Sequence, residues 1–300
     1  MEESFGPLDA LDKSELKRLA GRSDAKGLLH LAGHLGVLAL SGTAVWLALG
    51  SWWLPAAWLA HGVVLIFLFA PLHECIHRTA FRSRWLNDLV ATACGAILLL
   101  PATYFRCFHF AHHRFTQNPA RDPELAAPKP TSWVQYLLHV SGLPYWRERS
   151  ATLWRHNMGR VSEPFIPGIQ RAAVAREARL HLAAYGVVAL VSIGAACPTA
   201  LIYWIVPALL GQPFLRMFLL AEHAGCPLVP DMMKNARTTT SNPAVRWLAW
   251  NMPFHTAHHA YPAVPFHALP AAHRHLKGRV EVTAPGYFSV QREITRAFGR

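Results

Sequence analysis

The sequence contains three short stretches in which histidines recur at the spacing of one helical turn. Two have the pattern HxxHH, at residues 109–113 and 255–259, and one has the pattern HxxxH, at residues 73–77. Each residue of an α-helix advances by about 100°, so side chains three and four positions apart lie on one face. Each stretch therefore offers imidazoles that point in one direction. The eight histidines are His73, His77, His109, His112, His113, His255, His258 and His259.

Clustered imidazoles indicate a metal site. Neutral imidazole suits iron, copper, nickel and zinc. Eight such ligands are too many for one ion but are suitable for two. Neutral ligands leave the positive charge of the metal uncompensated, so we expect carboxylates to accept the outer N–H groups of the rings. The candidates for this role are Glu74, Asp88, Asp122, Glu124 and Glu222.

The composition indicates a membrane protein. Of the 300 residues, 52% are hydrophobic and only 15% are charged, whereas soluble domains contain roughly 25% charged residues. The formal net charge is +12. The sequence has no basic stripe with interleaved aromatic residues and no nucleic-acid-binding motif, so we do not expect nucleic acid as a partner.

Long stretches without charge predict four transmembrane helices. Residues 27–72 contain no Asp, Glu, Lys or Arg, and two spans of about 20 residues each fit this length. We assign the two spans of this first hairpin to residues 28–49 and 54–73. A second apolar region predicts another hairpin, with spans at residues 180–196 and 199–221.

The apolar run at residues 89–105 lies between two histidine stretches that must meet. A single crossing would place these stretches on opposite sides of the membrane, so we expect a re-entrant or interfacial helix. Lys and Arg are absent from both hairpin tips and concentrate in a polar insertion at residues 114–180. Because positive charge favours the cytoplasmic side, both termini and all histidine stretches are expected there, at the inner or plasma membrane.

The predicted fold is therefore an all-α membrane protein, with four transmembrane helices in two hairpins and a cytoplasmic histidine-rich helical cap. We expect one domain over residues 1–300, with a surface arm at residues 1–26 and the cap at residues 224–300. Within the cap, residues 243–259 and 291–296 are predicted to be helical.

The remaining histidines are expected to have structural or surface roles and not to bind the metal. His30 and His34 repeat the HxxxH spacing without a third partner, which favours packing over contact with the outer side of the metal site. Structural packing is also expected for His61. Surface positions are expected for His139, His156 and His181, and surface or outer positions for His267, His273 and His275. Trp247 and Trp250 are predicted to anchor the chain at the membrane interface.

The three histidine stretches, in this order and after apolar hairpins, resemble those of the membrane fatty acid desaturase and hydroxylase superfamily. The resemblance extends from about residue 54 to about residue 270. It implies a non-haem di-iron centre with the eight histidines as ligands. It also implies a ligand shortly after the last span, which His223 matches, and an asparagine that joins the site through water, for which Asn251 is the candidate.

The resemblance implies an O2-dependent desaturase that introduces a double bond into an acyl or alkyl chain. A hydroxylase, ketolase or oxidative decarboxylase with the same two irons is the first alternative. Electrons would come from an external donor of the ferredoxin, rubredoxin or cytochrome b5 type. A histidine-rich membrane metal transporter is a distant alternative, because transport predicts ionisable residues along the spans, whereas these histidines gather at one membrane face.

Overall fold

The structure is a computed structural model that describes residues 11–298, and helices dominate this part of the chain. Two short strands, β1 (Thr238–Thr239) and β2 (Thr283–Ala284), pair in parallel. In chain order the helices are α1 (Lys13–Leu19), α2 (Asp24–Ala48), α3 (Leu54–Ile66), α4 (Phe69–His77), α5 (Arg84–Ile97), α6 (Ala102–Phe115), α7 (Trp133–Val140), α8 (Leu143–Asn157), α9 (Gly168–Gly194), α10 (Val206–His223), α11 (Met232–Asn235), α12 (Pro243–Leu248), α13 (His255–Ala260), α14 (Leu269–Leu276) and α15 (Tyr287–Arg296).

Within residues 11–298, four helical segments are long and apolar enough to cross a membrane, which confirms the predicted number. They are Asp24–Ala48, Leu54–His77, Gly168–Gly194 and Leu201–His223. The second segment joins α3 to α4, and the fourth joins a π-helical turn to α10. The first hairpin lies where the charge-free stretch predicts it, because no charged residue interrupts either helix within residues 27–72.

The third span begins earlier than predicted. Helix α9 starts at Gly168, and the prediction placed the start near residue 180. The first turns of α9 are rich in charge, so hydropathy finds only its apolar second half. One of these charges has a structural role, because the Glu177 carboxylate accepts hydrogen bonds from the backbone N–H groups of Ala102 and Thr103, at 2.9 and 2.8 Å. These groups are unsatisfied donors at the start of α6, so Glu177 attaches α6 to α9.

The run at residues 89–105 forms two helices, α5 and α6, which meet at an angle of 99°. The bend includes Leu99, which has a positive φ of 54°, and Pro101, which immediately precedes α6. The Nε2 atoms of His73 and His109 are 2.7 Å apart. The chain therefore returns to the end of α4 that carries the first histidine stretch, as the prediction required.

The cap differs from the prediction at residues 243–259, which form two short helices, α12 and α13, and not one. The chain breaks between them at Trp250 and Asn251, whose φ angles are +51° and +59°. The interface role predicted for Trp250 is wrong, because this side chain is fully buried and its ring packs 4.8 Å from the ring of His30 and 4.6 Å from that of Phe266. Burial of this large ring holds the break in place.

The two ends of the described chain are also helical. Helix α1 lies in the segment assigned to the N-terminal arm, and residues 1–10 of that arm lie outside the described residues. Helix α15 includes the predicted segment 291–296 but begins four residues earlier, at Tyr287.

Two histidines that were predicted to lie at the surface are buried. The Nε2 atom of His156 lies 3.0 Å from both carboxylate oxygens of Glu163, and this pair is enclosed where α8 meets the chain before α9. His181 is 4% exposed and its Nδ1 atom lies 3.4 Å from the Tyr185 hydroxyl oxygen. The prediction was wrong because both histidines face neighbouring elements that the sequence alone does not position.

The second and fourth spans contact each other through glycines. A Cβ atom at Gly62 would lie 2.1 Å from the carbonyl oxygen of Pro207, and a Cβ atom at Gly211 would lie 2.1 Å from the carbonyl oxygen of Gly62. Small residues at such a crossing allow two helix backbones to approach closely. Because α3 continues into α4 and α10 ends at His223, this contact sets the distance between the first histidine stretch and His223.

We expect Gly62→Ala to separate these two helices, because the obstructing atoms belong to backbone and cannot rotate away. Overpacking of this kind costs about 1–3 kcal/mol, and it should lower the thermal unfolding temperature of the purified protein in detergent. The matched control is Gly186→Ala in α9, where a Cβ atom meets nothing within 4 Å. Equal unfolding temperatures for Gly62→Ala and the wild type would contradict the close crossing.

Candidate metal centre

Four helices bring nine histidines together at one end of the spans. Helix α4 ends with the first stretch and α6 carries the second in its last turns. Helix α10 ends at His223, and the short helix α13 consists almost entirely of the third stretch. The sequence places the histidines of each stretch on one helical face. The ends of the helices direct these faces toward a common centre.

The first group contains five histidines. Their closest nitrogens are Nε2 atoms: His109 lies 2.7 Å from His73 and 2.9 Å from His113, and His113 lies 3.0 Å from His258. The ring of His77 completes the group, 4.8 Å from that of His258. One nitrogen from each of the five lies within 4.8 Å of the others.

The second group adjoins the first. One nitrogen from each of His112, His223 and His259 lies within 4.8 Å of the other two. The Nε2 atom of His223 is 3.2 Å from that of His112 and 2.9 Å from that of His255. His255 therefore belongs to this group by distance. The stacked rings of His113 and His259, with centroids 4.2 Å apart, connect the two groups.

The donor set fits metal ions. A metal with bonds of about 2.1 Å to imidazole holds adjacent nitrogens at right angles about 3 Å apart, which is the observed spacing of these Nε2 atoms. Hydrogen bonds account poorly for the same contacts, because a neutral imidazole carries one N–H while His109 and His113 each approach two other rings through one nitrogen. In addition, the buried Nε2 atoms of His77 and His259 have no hydrogen-bond partner within the described residues.

Burial keeps the rings of the third histidine stretch neutral. It lowers the pKa of His255, His258 and His259 well below the ordinary histidine value, and neighbouring imidazoles lower it further. A neutral imidazole retains the lone pair that a metal needs. The rings of this third stretch are therefore suited to bind cations as neutral donors at physiological pH.

Carboxylates orient one ring of the second group. The Nδ1 atom of His112 lies 3.0 and 3.1 Å from the two carboxylate oxygens of Asp122. Asp122 is itself fixed, since it accepts hydrogen bonds from the backbone N–H groups of Gln117 and Glu124. Such a contact selects the tautomer that leaves Nε2 free. The predicted outer role of Asp122 therefore has direct geometric support.

Glu124 lies on the inner side of the same ring. Its Oε2 atom is 3.5 Å from the Nε2 atom of His112, and its other oxygen pairs with Lys129. Burial alone would raise the pKa of Glu124, but Lys129 and His112 lower it well below the ordinary value. A carboxylate thus faces the donor nitrogens and supplies negative charge beside them.

Three further contacts were not predicted. The Nδ1 atom of His223 donates to the backbone carbonyl of Asn235 at 2.9 Å, and the Nδ1 atom of His259 lies 3.2 Å from the Thr116 hydroxyl. Gln117 donates through Nε2 to the backbone carbonyl of His223 at 2.9 Å. The position of Thr116 and Gln117 immediately after the second histidine stretch was the available signal, whereas nothing in the sequence indicated Asn235.

Of the other residues predicted to contact the outer nitrogens of the rings, Glu222 lies beside a histidine of the site, whereas the Glu74 carboxylate has other partners. The Glu222 carboxylate lies 3.3 Å from the Nδ1 atom of His255. Glu74 is fully buried and accepts hydrogen bonds from Thr79 and from the backbone N–H of Phe266, so it connects α4 to the cap.

Asp88 and Asn251 were predicted to lie beside the metal ligands, and the structure directs both side chains elsewhere. Asp88 is more than half exposed and forms an ion pair with Arg78. Asn251 donates through its amide to the carbonyl of Phe266, at 3.1 Å. Their polar atoms are thus used in local contacts that residue type and spacing do not reveal.

The chain is similar to known lipid desaturases. The family model of fatty acid desaturases matches residues 50–291. The sn-1 oleoyl-lipid 12-desaturase of Synechocystis sp. is 26% identical over 301 residues, which cover 90% of this chain and 80% of the relative. The enzyme of the same name from Picosynechococcus sp. is 30% identical over 146 residues, or 46% of this chain and 41% of the relative. The sn-1 acyl-lipid omega-3 desaturase (ferredoxin) of Nostoc sp. is 35% identical over 75 residues, or 25% and 21%.

The family match covers more than half of the chain and includes all nine histidines of the two groups. It also includes the last three of the four candidate spans. The match agrees with the resemblance inferred from the histidine stretches. The chain belongs to the fatty acid desaturase family.

Proposed function

We propose that this protein is an O2-dependent acyl-lipid desaturase that uses two histidine-bound iron ions. The observation that carries the proposal is the pair of buried histidine groups at one end of four membrane-spanning helices. The names of the relatives, which are desaturases of lipid-bound acyl chains, support the substrate class. The substrate is then an acyl chain that reaches the site from the bilayer.

We assign His73, His77, His109, His113 and His258 to one iron. The second iron is assigned to His112, His223, His255 and His259. Asp122 and Glu222 hold the outer nitrogens of two of these rings, and Glu124 supplies charge on the inner side.

The histidine site favours oxidation chemistry because it is dry and rigid. His73, His255 and His258 are each at most 3% exposed, so bulk water does not surround a group placed among them. When bound, two iron ions would supply the O2 activation and hydrogen abstraction that an unactivated CH2 group requires. The substrate provides half of the electrons that reduce O2 to water, so an external donor of the ferredoxin, rubredoxin or cytochrome b5 type provides the other half.

The membrane topology is part of the proposal. We place both termini, the insertion and the histidine site on the cytoplasmic face of the inner or plasma membrane, because Lys and Arg concentrate on that side of the hairpins. Residues 1–300 then act as one domain. A soluble electron donor in the cytoplasm would have access to the same face.

Expression in a host that lacks the activity tests the reaction. We expect new acyl chains that are lighter than their precursors by the mass of two hydrogen atoms, as measured by mass spectrometry of the extracted lipids. The control is the same host that expresses His109→Ala. If the only new product is heavier than its precursor by the mass of one oxygen atom, the protein is a hydroxylase and the desaturase assignment is wrong.

A further inference from the structure

A second polar site lies between α8 and α10, apart from the histidines. Gln212 and Arg216 are one turn apart on α10 and face the start of α8. A Cβ atom at Gly142 would lie 2.3 Å from Cγ of Gln212, and the Arg216 guanidinium carbon lies 4.3 Å from the ring centre of Tyr145. The start of α8 therefore lies directly against these two side chains of α10.

Several polar atoms at this site have no partner. Gln212 is fully buried, yet neither its Nε2 nor its Oε1 atom has a hydrogen-bond partner in the part of the chain that the structure describes. The same is true of Nε of Arg216 and Nε1 of Trp146. Native proteins rarely leave buried polar atoms unsatisfied, and such atoms point to a missing ligand. Three of these four atoms are hydrogen-bond donors.

The site is also positively charged. Arg149, one turn beyond Tyr145 on α8, lies with its guanidinium carbon 5.0 Å from the ring centre of Tyr104. Among the described residues, neither Arg149 nor Arg216 has a carboxylate within ion-pairing distance. The carboxylates whose charge reaches Arg216 are Glu124 and Glu222, which belong to the histidine site. Two guanidinium groups and unsatisfied donors together favour an anion with several oxygens, such as a phosphate.

An apolar cavity adjoins this charged site. Its volume is ≈ 780 Å³, and Trp146, whose indole N–H is one of the unpartnered donors, forms part of its wall. Leu209, three residues before Gln212 on the same face of α10, lines it as well. The cavity continues along α9 and α10 to the turn at Cys197 and Pro198. Because both helices are membrane spans, the medium that borders the cavity is lipid.

The cavity extends away from the histidines. Leu209 precedes His223 by 14 residues on the same helical segment, which corresponds to about 21 Å at about 1.5 Å per residue. Arg216 lies between Leu209 and His223 on this segment, so a chain that fills the cavity with its head group at Arg216 points away from the histidine site.

We propose that this is a binding site for an anionic phospholipid, separate from the acyl chain that is oxidised. The phosphate binds Arg149 and Arg216, the N–H groups of Gln212 and Trp146 complete its hydrogen bonds, and one acyl chain fills the cavity. This lipid would stabilise the contact between α8 and the second hairpin, which is formed by α9 and α10. The proposal does not depend on the desaturase assignment, since it concerns binding and not turnover.

Native mass spectrometry of the full-length protein, released from detergent with phosphatidylglycerol or phosphatidylcholine of the same chain length, tests this site. We expect the wild type to retain one phosphatidylglycerol ~10-fold more tightly than phosphatidylcholine, since the choline cation neutralises the phosphate charge and is repelled by the two guanidinium groups. Arg149→Gln combined with Arg216→Gln should abolish this preference. The matched control is Arg147→Gln, an exposed arginine on the same helix, which should leave it unchanged.

A second variant tests the cavity without altering the arginines. Ala189→Trp places a large ring at an exposed position of α9 that lines the cavity, and it should reduce retention of phosphatidylglycerol. This variant carries the test if the double arginine variant does not fold, as judged by its elution in gel filtration. Equal retention of the two lipids by the wild type, retention of free oleate alone, or an unchanged preference in both variants would overturn the proposal.

Discussion

His109→Ala is expected to lower the formation of unsaturated product at least ~100-fold, which is the upper range for loss of a residue that only supports a metal ligand. Its Nε2 atom lies within 2.9 Å of the corresponding atoms of two other histidines and so stands at the centre of the five-histidine group. Alanine removes that donor and leaves a space among the remaining rings. Lipid analysis of the expressing host measures the loss of product, and metal analysis of the purified variant should show less iron per chain.

The matched control for this variant is His275→Ala. His275 is 42% exposed in its side chain and pairs with Glu15 at the protein surface, so its loss should leave both product and iron unchanged. If His109→Ala retained full activity and full iron content, the histidine groups would not be the metal site.

Asp122→Asn is expected to weaken metal retention by about 10–100-fold, the usual effect of removing a carboxylate that orients a histidine ligand. The amide has nearly the same size as the carboxylate, but it lacks the charge and presents donors on one side. His112 would lose the partner that keeps its Nε2 atom directed at His223. The concentration of chelator that removes half of the iron measures this effect.

Asp88→Asn provides the comparison, because Asp88 is exposed and pairs with Arg78 and not with a ring. The same chelator titration should give the wild-type midpoint for this variant. Equal midpoints for Asp122→Asn and Asp88→Asn would show that the Asp122 carboxylate has no influence on the metal.

The spans and the histidine groups could be predicted because their signals are local. A charge-free stretch of the right length determines a hairpin, and offsets of three and four determine a helical face. The start of α9 could not be predicted in this way, because its first turns are polar and are held by contact with α6. The break at Trp250 likewise depends on burial against α2, which no local pattern encodes.

The outer contacts of the site show the same difference between features with a local sequence signal and features that depend on the fold. Asp122 could be proposed because it follows the second histidine stretch by nine residues, and Glu222 because it directly precedes His223. Asp88 has an equally favourable position in the sequence, but the local geometry directs it to Arg78. The carbonyl of Asn235 was not predictable, since a backbone oxygen leaves no mark in residue type and its position depends on how the cap folds over α10.

Metal analysis of active, full-length protein purified in detergent tests the central claim most directly. If the group of five histidines and the group of four histidines each bind one ion, we expect about two irons per chain. The iron content of each preparation should then rise in proportion to its activity. Active protein that contains stoichiometric zinc and no iron would contradict the account.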